Sequence, residues 1–260
     1  MQVSHIGLLK SQGHGLGNQL FLIASTIGIA MDHNLRYGFS NWKNNTYFAN
    51  KLPGLAPGPS VIVKEKSFDY NPVELPVNTF VYLDGYFQSD KYFNKVEDKI
   101  RDVFQFNFTL VDEVKNVLNQ IDLSTTCSIH VRRGDYLNYP NIHPQQPQDY
   151  WFSAQKEIEE HAEVKTYIVF SDDIPWCKQN KDLFNRTGKK VLFLQGRTQI
   201  DDFIGISLCK NNIITNSTFS WWAAWLNNNS DKVIVMPKLW FGSKGPSDGK
   251  DLVVEGWIQK

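Results

Sequence analysis

An α/β fold with parallel sheets is predicted, and three observations predict it. The chain opens with a strand-like run, a glycine-rich turn and an apolar helix, in that order. From about residue 125, short β-branched and aromatic runs alternate with longer helical stretches, the βαβ pattern of a parallel sheet. The composition is 42% hydrophobic and 21% charged over 260 residues, an ordinary globular balance that excludes a disordered chain. This length suits one large domain or two of about 125 residues each. The change of texture puts the boundary near residue 123, giving domains 1–123 and 124–260.

Taken in order, residues 3–9 read as a strand, 10–15 as a loop and 18–32 as a helix. The most apolar part, residues 20–31, is shorter than the ~20 residues a membrane span needs. Pro53, Pro57, Pro59, Pro72 and Pro76 punctuate the middle, with short strands expected at 61–63 and 80–83. Helices are expected at 91–105 and 110–121, the second with apolar residues near helical spacing. Strands then recur at 128–131, 166–170, 191–194, 212–215 and 232–236. Helices lie between and after them at 149–161, 176–184, 198–210 and 219–227.

Bulk charge excludes some function classes. Lys and Arg total 27, Asp and Glu 27, so no broad field for nucleic acid is present, and no nucleic-acid partner is expected. The three cysteines, Cys127, Cys177 and Cys209, lie far apart without metal-ligand spacing. They read as buried apolar residues in a reducing compartment. Triplets such as Asn44-Asn45-Thr46 and Asn185-Arg186-Thr187 read as chance in an asparagine-rich chain. The start, Met1-Gln2-Val3-Ser4-His5-Ile6-Gly7, shows no basic flank or cleavage pattern, so a soluble cytoplasmic protein is expected. The six histidines form no metalloenzyme helix motif, and no metal is expected. No nucleophile elbow is present.

Four stretches carry chemistry. His130-Val131-Arg132-Arg133-Gly134-Asp135-Tyr136 sets two arginines at a strand end, where α/β sheets bind ligands. The planar arginine fork fits phosphate oxygens; a surface ion pair with Asp135 is the plainer alternative. Gly13-His14-Gly15-Leu16-Gly17-Asn18-Gln19 lets backbone approach phosphate before a helix, or is simply a tight turn. It matches neither the dinucleotide fingerprint nor a Walker loop. Phe170-Ser171-Asp172-Asp173 offers carboxylates to the donors of a guanine edge, or caps the next helix. Asn216-Ser217-Thr218-Phe219-Ser220-Trp221-Trp222 begins a helix with hydroxyls, either an anion cradle or a cap. Trp221, Trp222 and Trp225 fit helical spacing and read as core.

In chain order, Gly15-Leu16-Gly17-Asn18-Gln19-Leu20-Phe21, Gly85-Tyr86-Phe87-Gln88-Ser89 with Lys91-Tyr92-Phe93, the His130–Tyr136 motif, Phe170-Ser171-Asp172-Asp173 and the run from Asn216 to Leu226 resemble the motifs of the bacterial α-1,2-fucosyltransferases over nearly the whole chain. The arginine motif is shared more loosely with α-1,6- and protein O-fucosyltransferases. The resemblance implies a GT-B fold, two Rossmann-like domains facing a cleft, with the acceptor side in 1–123 and the GDP-fucose side in 124–260. It implies GDP-β-L-fucose as donor, the 2-hydroxyl of a terminal galactose in an oligosaccharide as acceptor, inversion and no required metal or other cofactor. His14 is a departure, since many relatives carry glycine there. Residues 139–148 read as a variable acceptor loop.

The resemblance also implies roles. Arg132 stabilises the leaving β-phosphate, and Asn18 lies near phosphate and fucose, both as catalytic residues. Gly15 and Gly17 form the donor loop. His130 and Asp172 hold the guanosine, and Ser217, Thr218 and Phe219 the phosphates and base. Arg133 belongs to the donor set or braces the strand end. His14, Asp84 and Asp135 are candidate general bases. Peripheral membrane association is expected where the acceptor is lipid-linked. Three other readings stand beside this one: a different fucosyltransferase linkage class, a carbohydrate-binding module suggested by eight tryptophans, and a nucleotide hydrolase.

Overall fold

Six consecutive buried residues, Thr126–Val131, form the strand that organises the second half of the chain. A strand buried on both faces reads as an unbroken run rather than an alternation, as parallel sheets require. The computed structural model describes residues 5–8, 15–55, 58–76 and 79–260. The chain forms two compact units: Met1–Phe108 with Lys250–Val254, and Thr109–Gly249 with Glu255–Lys260. The expected division at residue 123 is therefore corrected in two places. The helix Phe108–Val117 lies almost wholly in the second unit, because the unit boundary precedes its buried residue Val114. A short C-terminal segment belongs to the first unit, a tertiary choice that no local pattern announces.

The first unit holds a four-stranded parallel sheet. Its strands are β1 (His5–Leu8), β2 (Arg36–Tyr37), β3 (Ser60–Lys64) and β4 (Phe80–Asp84), in the order β2-β1-β4-β3. Helix α1 (Leu16–Asp32) is buried over almost its whole length, as an all-round apolar helix must be. Beyond β4, Glu65 accepts the backbone N–H groups of Tyr86 and Phe87, each at 2.7 Å, and Ser25 donates to the Phe87 carbonyl at 2.9 Å. The expected helix 91–105 is split. Ser89 caps a 3₁₀ turn at Asp90–Tyr92, a second turn follows at Asn94–Val96, and only Glu97–Val103 is α-helical (α2). The returning segment is held by Asp251, which accepts Lys91 Nζ at 2.5 Å and the Tyr70 N–H at 2.8 Å. Gly249 and Gly256, at φ 80° and 83°, flank it and turn the chain in and out.

The second unit begins with α3 (Phe108–Val117) and builds a six-stranded parallel sheet. Its strands are β5 (Thr126–Val131), β6 (Thr166–Ser171), β7 (Lys190–Phe193), β8 (Asn211–Ile213), β9 (Ile234–Met236) and β10 (Ile258–Gln259). Helices α4 (Gln148–His161), α5 (Ile174–Gln179), α6 (Gln199–Leu208) and α7 (Thr218–Trp225) connect them. The strand order is β10-β9-β8-β5-β6-β7. From β5 the chain winds one way to β6 and β7, then crosses back to β8, β9 and β10. The connections after β5 and β8 therefore leave in opposite directions along the sheet, which makes the strands' carboxyl ends there a topological switch point, where such sheets take ligands. Trp221 and Trp222 are fully buried, which places them in the core as expected. All three cysteines are buried and free.

Candidate active site

The divergence point places Arg132 and Arg133 immediately beyond β5. Arg132 Nη2 meets Asp135 Oδ1 at 2.5 Å, and its Nη1 meets Asp172 Oδ2 at 3.0 Å. Its guanidinium also sits 5.5 Å from the Tyr136 ring centroid, and the side chain remains one-third exposed. It is thus held in place with part of its fork toward solvent, as an anion clamp needs. Arg133 is the more buried of the two. Its Nε meets Asp173 Oδ2 at 3.1 Å, its Nη1 reaches Gln145 Oε1 at 3.4 Å, and its guanidinium lies 3.9 Å from the Trp176 ring. These partners tie Arg133 to the strand end and to α5.

The aspartate pair divides its labour. Asp173 caps α5 by accepting the Trp176 N–H at 3.1 Å. Asp172 accepts the Arg133 N–H at 2.9 Å with one oxygen and pairs with Arg132 through the other. Both oxygens therefore orient the arginines, a different task from the expected contact with guanosine. Gly134 is what permits this. A Cβ there would lie 2.4 Å from Asp172 Oδ2, so any other residue would push the carboxylate off the clamp.

His130, the penultimate residue of β5, is buried. Burial, then the neighbouring Arg132 charge, pushes its imidazole down to about 3, so the ring is neutral. Its centroid is 5.4 Å from that of Phe219, and Phe219 in turn packs 5.0 Å from Phe203 at the start of α6. Residues Asn216 to Phe219 follow β8 as expected. Asn216 is locked by Nδ2 bonds to the Pro144 and Trp240 carbonyls. Ser217 precedes α7 without capping it through its side chain, and Thr218 opens the helix. The Tyr136 hydroxyl donates to the Asn216 carbonyl at 3.1 Å, tying the loop after β5 to the loop after β8.

In the first unit, Gly15 stands before α1, exposed, with nothing within 4 Å of where a side chain would begin. Gly17 is buried in the first turn. Asn18 Oδ1 accepts Gln88 Nε2 at 3.0 Å, so Gln88 orients it. Gln19 is occupied structurally, accepting from Trp42 at 2.6 Å and Asn44 at 3.0 Å. Asp84 closes β4. His14 lies outside the described residues, as do Val3, Leu9 and the loop 10–14.

Sequence reasoning missed three site residues. Asp202, in the first turn of α6 beside Phe203, has Oδ1 buried without a hydrogen-bond partner among the described residues. Burial pushes its carboxyl up to about 7, Arg197 pulls against this and Asp201 adds to it. The available signal was a second acid after a Thr198–Asp201 capping box, one more than the cap requires. His143 and Gln145 lie in the irregular loop after the arginines. His143 Nδ1 and Gln145 Nε2 are likewise buried without partners among the described residues. No group of residues that could hold a metal occurs among the described residues, and no described helix is long and apolar enough to cross a membrane.

The sequence profile of Glycosyl transferase family 11 matches residues 62–260. The chain is 31% identical to the O-antigen biosynthesis glycosyltransferase WbnK of Escherichia coli over 82% of this chain and 72% of that one. It is 28% identical to an alpha-1,2-colitosyltransferase of Escherichia coli over 94% and 96%. Against the human galactoside alpha-(1,2)-fucosyltransferase 1 it is 30% identical over 56% and 43%. Among solved structures, the NodZ alpha-1,6-fucosyltransferase soaked with GDP-fucose, a protein of Bradyrhizobium, superposes with a TM-score of 0.57 at 13% identity, covering 86% of this chain and 93% of that one. The fold is thus of GT-B type.

Proposed function

The chain belongs to glycosyl transferase family 11, and on that premise we propose that it transfers L-fucose from GDP-β-L-fucose to the 2-hydroxyl of a terminal galactose, with inversion. The observation that carries the reading is Arg132, held by Asp135 and Asp172 at the β5 end of a topological switch point with part of its fork free. As the anomeric C–O bond breaks, negative charge grows on the β-phosphate and positive charge on the sugar. A fixed guanidinium answers that growing charge more in the transition state than in the ground state. The same guanidinium supplies the charge compensation that a divalent ion gives other transferases, so the reading needs no metal; full activity in EDTA tests this point.

The purine end of the donor fits His130, Phe219 and Asp202. A neutral imidazole and a phenyl ring give it apolar walls, and a carboxylate accepts from guanine N1–H and the 2-amino group. Adenine lacks that pair of donors. Asp202 takes the guanine-reading role here because Asp172 is committed to the arginines. Ser217, Thr218 and the opening turn of α7 offer the phosphates hydroxyl and backbone donors. On the acceptor side, Asn18, oriented by Gln88, and the loop bearing Gly15 and Gly17 attend the sugar. Asp84 and Asp135 are the described candidates for taking the acceptor proton. The reaction is cytoplasmic in this reading, at a membrane surface where the acceptor is lipid-linked.

Incubation with GDP-fucose and a panel of galactose-terminated glycans tests the proposal, with product linkage determined. An α-1,2-fucosyl product is expected; an α-1,6 linkage, or fucose release that no acceptor accelerates, would refute it. A second reading is favoured by one observation, the near full-length match to an alpha-1,2-colitosyltransferase. Colitose is fucose without its 3-hydroxyl. Competition between GDP-fucose and GDP-colitose, read as kcat/KM for each, decides between them.

A further inference from the structure

The ring of His143 lies almost flat on that of Tyr136, with centroids 4.4 Å apart and planes 16° from parallel. Tyr136 is the aromatic surface beside Arg132, at 5.5 Å, and its hydroxyl is fixed on the Asn216 carbonyl. His143 is itself fixed. Its N–H donates to the Tyr139 carbonyl at 2.8 Å. The loop around it is pinned by Gly242 N–H to Ile142 O at 3.0 Å, Lys244 N–H to Asn141 O at 2.9 Å and Asn216 Nδ2 to Pro144 O at 3.1 Å. The charged or titratable groups facing the imidazole are Arg132, Asp135 and the Tyr136 phenol; the Phe241 ring, 6.2 Å away, adds an apolar side.

These contacts make a chain from a rigid loop to the leaving-group arginine. We propose that His143 is a positioning residue for transfer: stacked on Tyr136, it fixes the aromatic ring against which Arg132 is oriented. The inference rests on the transferase reading above. An imidazole suits the task because burial, with the Arg132 charge adding to it against Asp135, lowers its affinity for a proton and so disfavours a second positive charge beside the guanidinium. A flat ring also gives more contact with another ring than an aliphatic chain does.

The test compares His143→Leu, which fills the space without a ring, with His143→Phe, which keeps the ring without nitrogens. Both are assayed for transfer from GDP-fucose to lactose and for thermal stabilisation by GDP. In His143→Leu, kcat is expected to fall about tenfold or more, with the GDP-fucose KM within about threefold of wild type, because misplacing a catalytic group costs the transition state first. His143→Phe is expected to recover most of kcat. Leucine with unchanged kcat overturns the inference, as does phenylalanine with the same loss as leucine. Wild-type protein that transfers no fucose to any glycan defeats the functional reading instead, a different result.

Discussion

The two ends of the second unit's sheet are built from different chemistry. Toward the amino ends of the strands a buried network of neutral amides and a hydroxyl bonds to itself, with the Lys210–Asp231 and Lys165–Glu163 ion pairs at its exposed margin. Asn212 donates to Ser128 Oγ at 2.8 Å and to the Ile206 carbonyl at 2.7 Å. Asn227 bonds Asn212 Oδ1 and the Cys209 carbonyl, each at 2.8 Å, and Asn211 accepts the Val233 N–H at 2.9 Å. At the carboxyl ends stand Arg132, Arg133, Asp135, Asp172 and Asp173, all charged and partly exposed. Around them His130, His143, Gln145 and Asp202 each keep a buried polar atom unpaired among the described residues. Asn211 Nδ2 is the one amide group of this network without a partner among the described residues, and a neutral network so nearly satisfied fixes strand pairing at little desolvation cost. Paired charges and unfinished polar groups are costly to stability and suit a ligand that completes them.

Substitutions at the two ends sharpen this contrast. The largest effect is expected from Arg132→Ala, about a thousandfold or more in transfer, with a melting midpoint close to wild type because the side chain is partly exposed. Retained transfer in that variant would remove the clamp. At the opposite end, Asn212→Leu strands Ser128 and Asn227 and is expected to cost about 3 kcal/mol in urea unfolding. Its kcat, measured on folded protein at low temperature, should match wild type; a fall in kcat would show that the two ends are not separable.

Smaller effects come from protonation. Asp202 must be ionised to accept from guanine, and its carboxyl titrates near 7 in the free protein. GDP-fucose, whose phosphates do not titrate there, should bind more weakly as pH falls through about 7. Asp202→Asn should bind about tenfold more weakly at high pH and show no such dependence. Parallel profiles for the two proteins would take guanine recognition away from Asp202. His130 titrates at its ordinary 6.5 when unfolded and at about 3 when folded. Between those values the unfolded chain binds the extra proton, so stability is lost as pH falls from 6.5 toward 3. His130→Gln should lose less over that window in urea titrations; equal losses would mean that His130 is not buried neutral.

The sheet of the second unit was legible because each buried strand is a short run bounded by turns. Thr126–Val131 and Thr166–Ser171 fall where β-branched and aromatic residues predict them. The place of the two arginines was legible too, since a glycine directly after them marks the strand end. What the sequence could not apportion was work between like neighbours. Asp172 and Asp173 look interchangeable until Gly134 opens space for one and α5 claims the other. Asp202 hides in a helix start that already has a cap, and His143 in a loop without periodicity. The unit boundary escaped for a similar reason, because α3 and residues 250–254 are assigned by packing rather than by local pattern.

The returning segment has a consequence for the order of synthesis. Asp251, which holds Lys91 and the Tyr70 N–H, is joined to the chain only after residues 109–249 of the second unit. The first unit, although begun first, is completed only after residues 109–249 of the second have been made. Its sheet and α1 must wait as an incomplete body while residues 109–249 of the second unit are translated, and a nascent chain stalled before Asp251 lacks the contacts that close it.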